Sequence, residues 1–393
     1  MTSKQRMLAA LTGVVPDRLP CAPHWWGSYK YEALGLDSRR DPWKAGSDIV
    51  PVYEGFFEKF RPDWFHLHIG TPAWFRGASI EDRPEGSRLR IDPGQRELKK
   101  RDRYFSFESG DDERIVDFPD YLLGSRADRP KVELRSEASI REYARRFISM
   151  DAALITALGY TDHVKALARR YGGEAFIAVH IPSAVCEIFD PITGYTGFEE
   201  GLIAVHEEPD GMRRLIEVCY ELQLEWARAF AEAGAHAFII SESYLSPDLA
   251  GADAYGRFLK AVHREYFAEI ARMGLIPMMH YWGDAMAVLE DLAELPVRGL
   301  MVEESKKTFS LDVREIRDRL AGRKCVFGNL DSITLMRHGS PTQVFDEAIR
   351  QAAGAKGSFV VSNGSPLVPG TPPANVLALI EAASGGGNRK GIE

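Results

Sequence analysis

The chain has 393 residues, with 49 Lys and Arg against 57 Asp and Glu, for a formal charge of −8. The two signs are interspersed, so there is no basic stripe for nucleic acid or anionic lipid, and no apolar run approaches the roughly 20 residues that span a bilayer. Cys21, Cys186, Cys219 and Cys325 lie far apart with no C-x-x-C pair, which argues against a zinc ribbon or a disulfide framework and leaves a cytoplasmic small-molecule enzyme as the expectation.

Met1 to Gly13 reads as a charged amphipathic helix rather than a signal peptide. The first strand candidate, Arg18 to Trp25, runs into His24-Trp25-Trp26, two indoles that suit either a planar substrate or the floor of a core. The second, Asp63 to Gly70, carries His66 and His68 on one face, because alternate residues of a strand point the same way. Residues 76–148 are charged and turn-rich, with short alternating runs such as Arg88-Leu89-Arg90-Ile91, and are expected to form an insertion with a hairpin or two. The third strand, Glu174 to Ile181, brings His180. A helix from Gly211 to Ala233, apolar at three- and four-residue steps, leads into the fourth strand, His236 to Glu242, and its Ser241-Glu242-Ser243-Tyr244 end.

A second helical periodicity, Phe258 to Ile270, precedes the fifth strand, Ile276 to Trp282, which contains His280 and ends on Trp282. The sixth, Arg298 to Glu304, ends on Glu303 and Glu304, and the seventh, Lys324 to Asp331, contains Asn329. The eighth, Gly357 to Gly364, contains Asn363 and turns at Ser365. Helices are expected at Asp312 to Leu320, Pro341 to Ala353 and Pro373 to Ala383, and residues 385–393 as a flexible tail.

Eight strands, each followed by helical pattern, predict a TIM (β/α)8 barrel over residues 1–384, with the 76–148 insertion after the second strand. Its carboxyl edge is where such barrels do chemistry, and His24, His66, His68, His180 and His280 all fall there. His66 and His68, with His24, His180 or His280, have the donor types for a divalent metal such as zinc; the same rings also read as hydrogen-bonding histidines of a polar pocket. Glu242 and one of Glu303 and Glu304, chosen by side-chain alternation, are candidates for a general base or metal ligand beside His280, with an ion pair to Lys306, Lys307 or an arginine of the insertion as the structural alternative. Tyr244, Trp282, Asn329, Asn363 and Ser365 complete the predicted substrate lining.

Two stretches resemble the uroporphyrinogen decarboxylase superfamily. Lys4 to Gly13 followed by Pro16-Asp17-Arg18-Leu19-Pro20 is similar to its opening helix and Asp-Arg-x-Pro turn. Gly328-Asn329-Leu330-Asp331, Gly339-Ser340-Pro341-Thr342-Gln343-Val344 and Thr371-Pro372-Pro373-Ala374-Asn375-Val376 resemble its seventh-strand turn, the helix after it and its last loop. The resemblance implies the same barrel, a homodimer, and one of two activities. Its decarboxylase branch holds a polycarboxylate tetrapyrrole with arginines after the first strand and an aspartate near the end of the second, where this chain has His24-Trp25-Trp26 and His66-Leu67-His68. Its methyltransferase branch, acting with methyl-corrinoids, holds zinc with a His-x-Cys and a last-loop cysteine, where this chain has His280-Tyr281-Trp282 and Ser365. The expectation is therefore a divergent enzyme that transfers or removes a methyl group of a small, aromatic or methylated substrate, with a corrinoid, a corrinoid protein or a folate as acceptor. Decarboxylation is the alternative, and a silent barrel that binds a tetrapyrrole or corrinoid is the third reading.

Overall fold

The apolar runs form seven parallel strands in one curled sheet. In the computed structural model, which describes residues 1–25, 27–37, 48–70, 79–83, 86–90, 106–107, 132–147, 150–189, 198–355 and 357–385, the sheet has the order β1-β5-β6-β7-β8-β9-β10. The strands are β1 Trp64–Leu67, β5 Phe176–Pro182, β6 Ala237–Glu242, β7 Ile276–Tyr281, β8 Gly299–Val302, β9 Cys325–Phe327 and β10 Phe359–Val360. Nearly every residue of these strands is buried, as expected where helices cover one face and side chains fill the other. Sequential strands are neighbours throughout, the arrangement that strand–helix–strand crossovers produce.

The predicted first strand is reduced to isolated bridges, Cys21 to Val361 and Trp25 to Leu367. Pro20 and Pro23 have no N–H to donate, so the segment cannot build a continuous ladder. It nevertheless bonds both edges of the sheet. Ala22 N donates to Val361 O (2.9 Å) and Val361 N to Pro20 O (2.8 Å) beyond β10, while Asp63 N donates to Cys21 O (2.8 Å) just before β1.

A buried carboxylate holds this junction. Asp63, with no solvent exposure, accepts from Cys21 N (2.8 Å), from Arg6 Nη1 (2.6 Å) and from both Nη atoms of Arg18 (2.8 and 3.1 Å). Arg6 also reaches Asp17. The opening helix Ser3–Leu11 and the Asp17-Arg18 turn are thereby stapled to the start of β1, which explains why that motif needs two arginines and an aspartate.

Other motif residues act in the same way. Ser340 and Gln343 form a capping box at the helix Pro341–Ala352. Asn375 Nδ2 donates to Met336 O and Gly339 O (2.8 Å each), tying the last helix, Pro373–Ala383, to the preceding turn.

Within the predicted insertion, β2 Ser79–Arg83, β3 Gly86–Arg90 and β4 Ser106–Phe107 form a three-stranded antiparallel sheet, with Ile80 opposite Leu89. The helix Glu137–Phe147, inside the 76–148 span, buries Ile140, Tyr143 and Ala144, and its Glu137 pairs with Arg214 of the long helix Pro209–Glu232. That part of the span belongs to the helical layer. Residues 386–393, in the predicted tail, lie outside the described residues. Among the described residues, no helix is long and apolar enough to cross a membrane.

Removing one partner from a buried ion pair leaves the others desolvated and uncompensated. Asp63→Asn is therefore expected to lower unfolding free energy by roughly 3–5 kcal/mol, measured by urea denaturation at neutral pH. A loss in the ~0–1 kcal/mol range of an exposed pair would show that the junction does not depend on this charge.

Candidate active site

The junction sets the distance between two imidazoles. His24 lies three residues after Cys21 and His66 three after Asp63, and those two positions are hydrogen-bonded to each other, so the rings meet with centroids 5.0 Å apart. His180 on β5 and His280 on β7 join them. His24 is 5.3 Å from His180 and 4.7 Å from His280, and His66 is 5.0 Å from His180 (centroid distances). His68 packs on His66 at 4.8 Å and on His180 at 5.9 Å. All five predicted histidines therefore converge.

Hydrogen bonds settle much of their proton placement. His24 Nδ1 lies 3.0 Å from Gly364 O, and a carbonyl only accepts, so Nδ1 carries the proton and Nε2 keeps its lone pair. For His280 the order is reversed. Trp282 Nε1 donates to His280 Nδ1 (2.9 Å), so the neutral ring holds its proton on Nε2, and that N–H has no partner among the described residues. His66 Nε2 and His180 Nδ1 are 2.8 Å apart, with one proton between them, and His180 Nε2 is 2.5 Å from Ser241 Oγ. Burial first, and then the repulsion that protonated neighbours in the cluster would exert on one another, holds these rings neutral. His24 is lowered to about 4, and His66, His68, His180 and His280 lie well below the ordinary imidazole value. Lys30, fully buried on the helix Gly27–Ala33, adds to that repulsion at His24, His66 and His68.

The carboxylates are distributed differently. Glu242 faces the helices rather than the histidines: its Oε2 accepts from Tyr220 OH (2.7 Å) and lies 3.1 Å from His263 Nε2, and its Oε1 accepts from Ser243 N (2.9 Å). Alternation along β6 explains this. Ser241, its neighbour, points at His180, so Glu242 must point the other way.

Glu303 and Glu304 lie beyond the end of β8 at Val302, where alternation no longer applies, and both reach Lys306 (3.4 and 2.6 Å). Glu303 also accepts from Gly283 N (2.9 Å), and its pKa is raised chiefly by burial. Glu304 accepts from the N and Oγ of Ser365 (2.7 and 2.8 Å). Gly364 permits that approach, since a Cβ there would lie 2.5 Å from Glu304 Oε2. The Lys306 charge is felt at His280, which places this carboxylate pair on the His280 side of the cluster.

The remaining predicted residues divide into framework and lining. Asn363 clamps the backbone of His24, accepting from its N (2.9 Å) and donating to its O (2.7 Å). Asn329 donates to Glu303 O (2.9 Å) and so shapes that loop. Trp25 is buried on Phe56, with ring centroids 4.3 Å apart, as part of the core beneath the histidines. Trp282 and Tyr244 are half-buried, the former against His280 and the latter against Phe189 and Phe198. Trp26 lies outside the described residues. Ser241 was named only as part of the fourth strand's polar end, without its partner His180, and two further contributors went unnoticed in the sequence. Strand parity from His280, its register partner, could have flagged Ser241. Nothing in the local sequence marks the Gly364 carbonyl or the buried Lys30.

Residues 141–385 match the uroporphyrinogen decarboxylase (URO-D) family. The methylcobamide:CoM methyltransferase MtaA of Methanosarcina barkeri is 27% identical over 176 residues, 45% of this chain and 49% of that protein. A uroporphyrinogen decarboxylase of Thermus thermophilus is 29% identical over 168 residues, 43% of this chain and 47% of that protein. The chain thus spans about half the length of the curated relatives it matches. A solved structure titled as a methyltransferase from Methanosarcina mazei superposes with a TM-score of 0.68 at 19% identity, covering 98% of this chain and 99% of that one, which establishes the shared fold.

Neutral buried imidazoles make stability pH-dependent. Below about pH 6.5 the unfolded chain takes up protons on these histidines while the folded chain does not, so stability is full above that pH and falls on acidification, for His24 down to about pH 4. Urea midpoints measured from pH 7.5 to 4.5 should decline, and His24→Gln should flatten the decline by up to one proton. Parallel profiles for the two proteins would contradict this account.

Proposed function

Given that the chain belongs to the uroporphyrinogen decarboxylase family, we propose that it is a methyl-transfer enzyme, moving a methyl group between a small methylated substrate and a corrinoid, free or protein-bound, or a folate. The observation that carries this reading is the charge state of the mouth. A polycarboxylate porphyrinogen needs several fixed cations, and the positions where the family's decarboxylases carry arginines and an aspartate hold His24-Trp25 and His66, with both imidazoles kept neutral by burial, which among the described residues leaves Lys30 and Lys306 as the cations felt at the histidines. The relatives named as methylcobamide:CoM methyltransferases support the same direction. In this reading Pro20–Ala22 is the eighth stave of the barrel, and the histidines stand at its carboxyl rim.

The zinc-thiolate arrangement of the family's methyltransferase branch does not fit these residues. Trp282 stands where the first cysteine would be and donates its N–H to His280 Nδ1, and Ser365 stands where the second would be and donates to Glu304. His280 acts instead as a hydrogen-bond donor. Its Nε2–H meets the oxygen or sulfur that leaves when a methyl group departs and stabilises the charge developing there. Trp282 holds the tautomer that makes this possible. Glu303, with its raised pKa, is the carboxyl group suited to carry a proton beside Lys306. Trp282 and Tyr244 offer flat faces for a planar substrate. Convergent polar rings at the mouth count against a silent barrel.

The full chain, incubated with methylated thiols, amines or methoxyarenes and reduced cobalamin, should form methylcobalamin. His280→Ala should lower the rate by ~100-fold or more while leaving the near-UV circular dichroism unchanged. Unchanged turnover in that variant would remove His280 from the chemistry. Release of carbon dioxide from a carboxylated substrate without any methyl transfer would replace this reading with decarboxylation, whose support is the similarity to the Thermus enzyme.

A further inference from the structure

We infer that His24, His66 and His180 form a tri-imidazole site for a divalent transition metal of the zinc class, built from other residues than the family's thiolate position, and that His280 is its neighbouring hydrogen-bond donor rather than a ligand. One donor atom from each of the three rings lies within 4.8 Å of the others, and all three rings are buried. The donor atoms follow from the hydrogen bonds. His24 Nδ1–H is held by Gly364 O, leaving Nε2; His180 Nε2 is held by Ser241 Oγ, leaving Nδ1, which faces His66 Nε2. Two of the rings are thus oriented through their second nitrogen by a carbonyl and a hydroxyl, the usual outer support of metal-bound histidine.

The His66–His180 contact is an N–H···N hydrogen bond in the metal-free protein, and it already brings two donor nitrogens together so that a metal ion entering the site would displace that proton. Zinc–nitrogen bonds of 2.0–2.1 Å give a tetrahedral edge of roughly 3.3 Å. The His66–His180 separation of 2.8 Å lies below that value and the whole set falls within 4.8 Å, so adjustments on the order of 1 Å would bring all three onto one ion. The set contains no carboxylate. Glu242 is turned to Tyr220 and His263, and Glu303 and Glu304 are engaged with Lys306. Among the described residues no carboxylate joins the three rings, so the charge of the ion is left for its remaining ligand to offset, which selects an anion: hydroxide, thiolate or another anionic group of the substrate. The buried, unpartnered Nε2–H of His280, whose ring is 4.7 Å from His24, is placed to donate to that anion. The inference concerns the mouth discussed above but does not depend on methyl transfer.

Chelator-treated full-length protein should be titrated with Co²⁺ in the absence of substrate or corrinoid and followed by visible absorption. The expected result is one Co²⁺ per chain with the intense bands of a four-coordinate ion, which shift when thiocyanate is added. His24→Gln and His66→Gln should abolish the bands, Ser241→Ala should weaken binding roughly 10–100-fold, and His280→Gln should retain Co²⁺ while weakening the thiocyanate response. Absence of the bands in the unmodified chain, or their survival in His24→Gln, overturns the site. If the glutamine variants do not fold, undiminished binding in Ser241→Ala overturns it. Loss of Co²⁺ in His280→Gln alone returns the ion to the family's position. A positive titration with no methylcobalamin formed keeps the metal site and rejects the reaction; the opposite pair of outcomes does the reverse.

Discussion

The Asp63 carboxylate, fully buried and bonded to Arg6, Arg18 and the Cys21 amide, is the constraint on which the rest of the site depends. It holds a proline-broken segment between the edges of a parallel sheet, where an ordinary strand would have used its own ladder. Because the bond is made at Cys21 and Asp63, the residues three further along, His24 and His66, emerge side by side. On its other side the segment is bonded to Val361, so Gly364, three residues on, supplies the carbonyl that fixes the His24 tautomer. A charge network at one end of the sheet thereby determines proton placement at the other.

Burial gives the histidines their character. An exposed imidazole is partly protonated near neutrality, whereas these are kept neutral by desolvation, each with a nitrogen lone pair and an N–H whose positions the surroundings choose. A carbonyl makes His24 a donor at Nδ1; an indole makes His280 an acceptor at the same atom. Two chemically identical side chains therefore present opposite groups at their second nitrogen, one a lone pair and the other a proton. The indole decides the His280 state, because its N–H occupies the Nδ1 lone pair of the histidine two residues before it.

The carboxylates show how far a pattern rule extends. Alternation holds along β6 and turns Glu242 away from the mouth into a buried cluster with Tyr220, His263 and Tyr255, where it anchors the helical layer. It fails after Val302, because the strand has ended, and both Glu303 and Glu304 gather on Lys306. The two carboxylates therefore sit on a loop positioned by Asn329 and by the close approach of Gly364.

The alternating strand and helix pattern, the order of the elements, the helix Pro373–Ala383 and the gathering of the five histidines at one edge were all determined by the sequence, because apolar periodicity and strand ends are local properties. The hairpin at Arg88-Leu89-Arg90 was legible for the same reason. Tertiary structure decided the rest. It broke the first strand at its prolines, drew the helix Glu137–Phe147 out of the predicted insertion, turned Glu242 outward, paired both rim glutamates with one lysine, and assigned each imidazole its proton. The turn of Glu242 and the tautomer of His24 rest on partners far along the chain, Tyr220 and Gly364, that no short window of sequence contains, whereas Lys306 and Trp282 are close in sequence to the groups they hold and need only the loop geometry that the fold supplies.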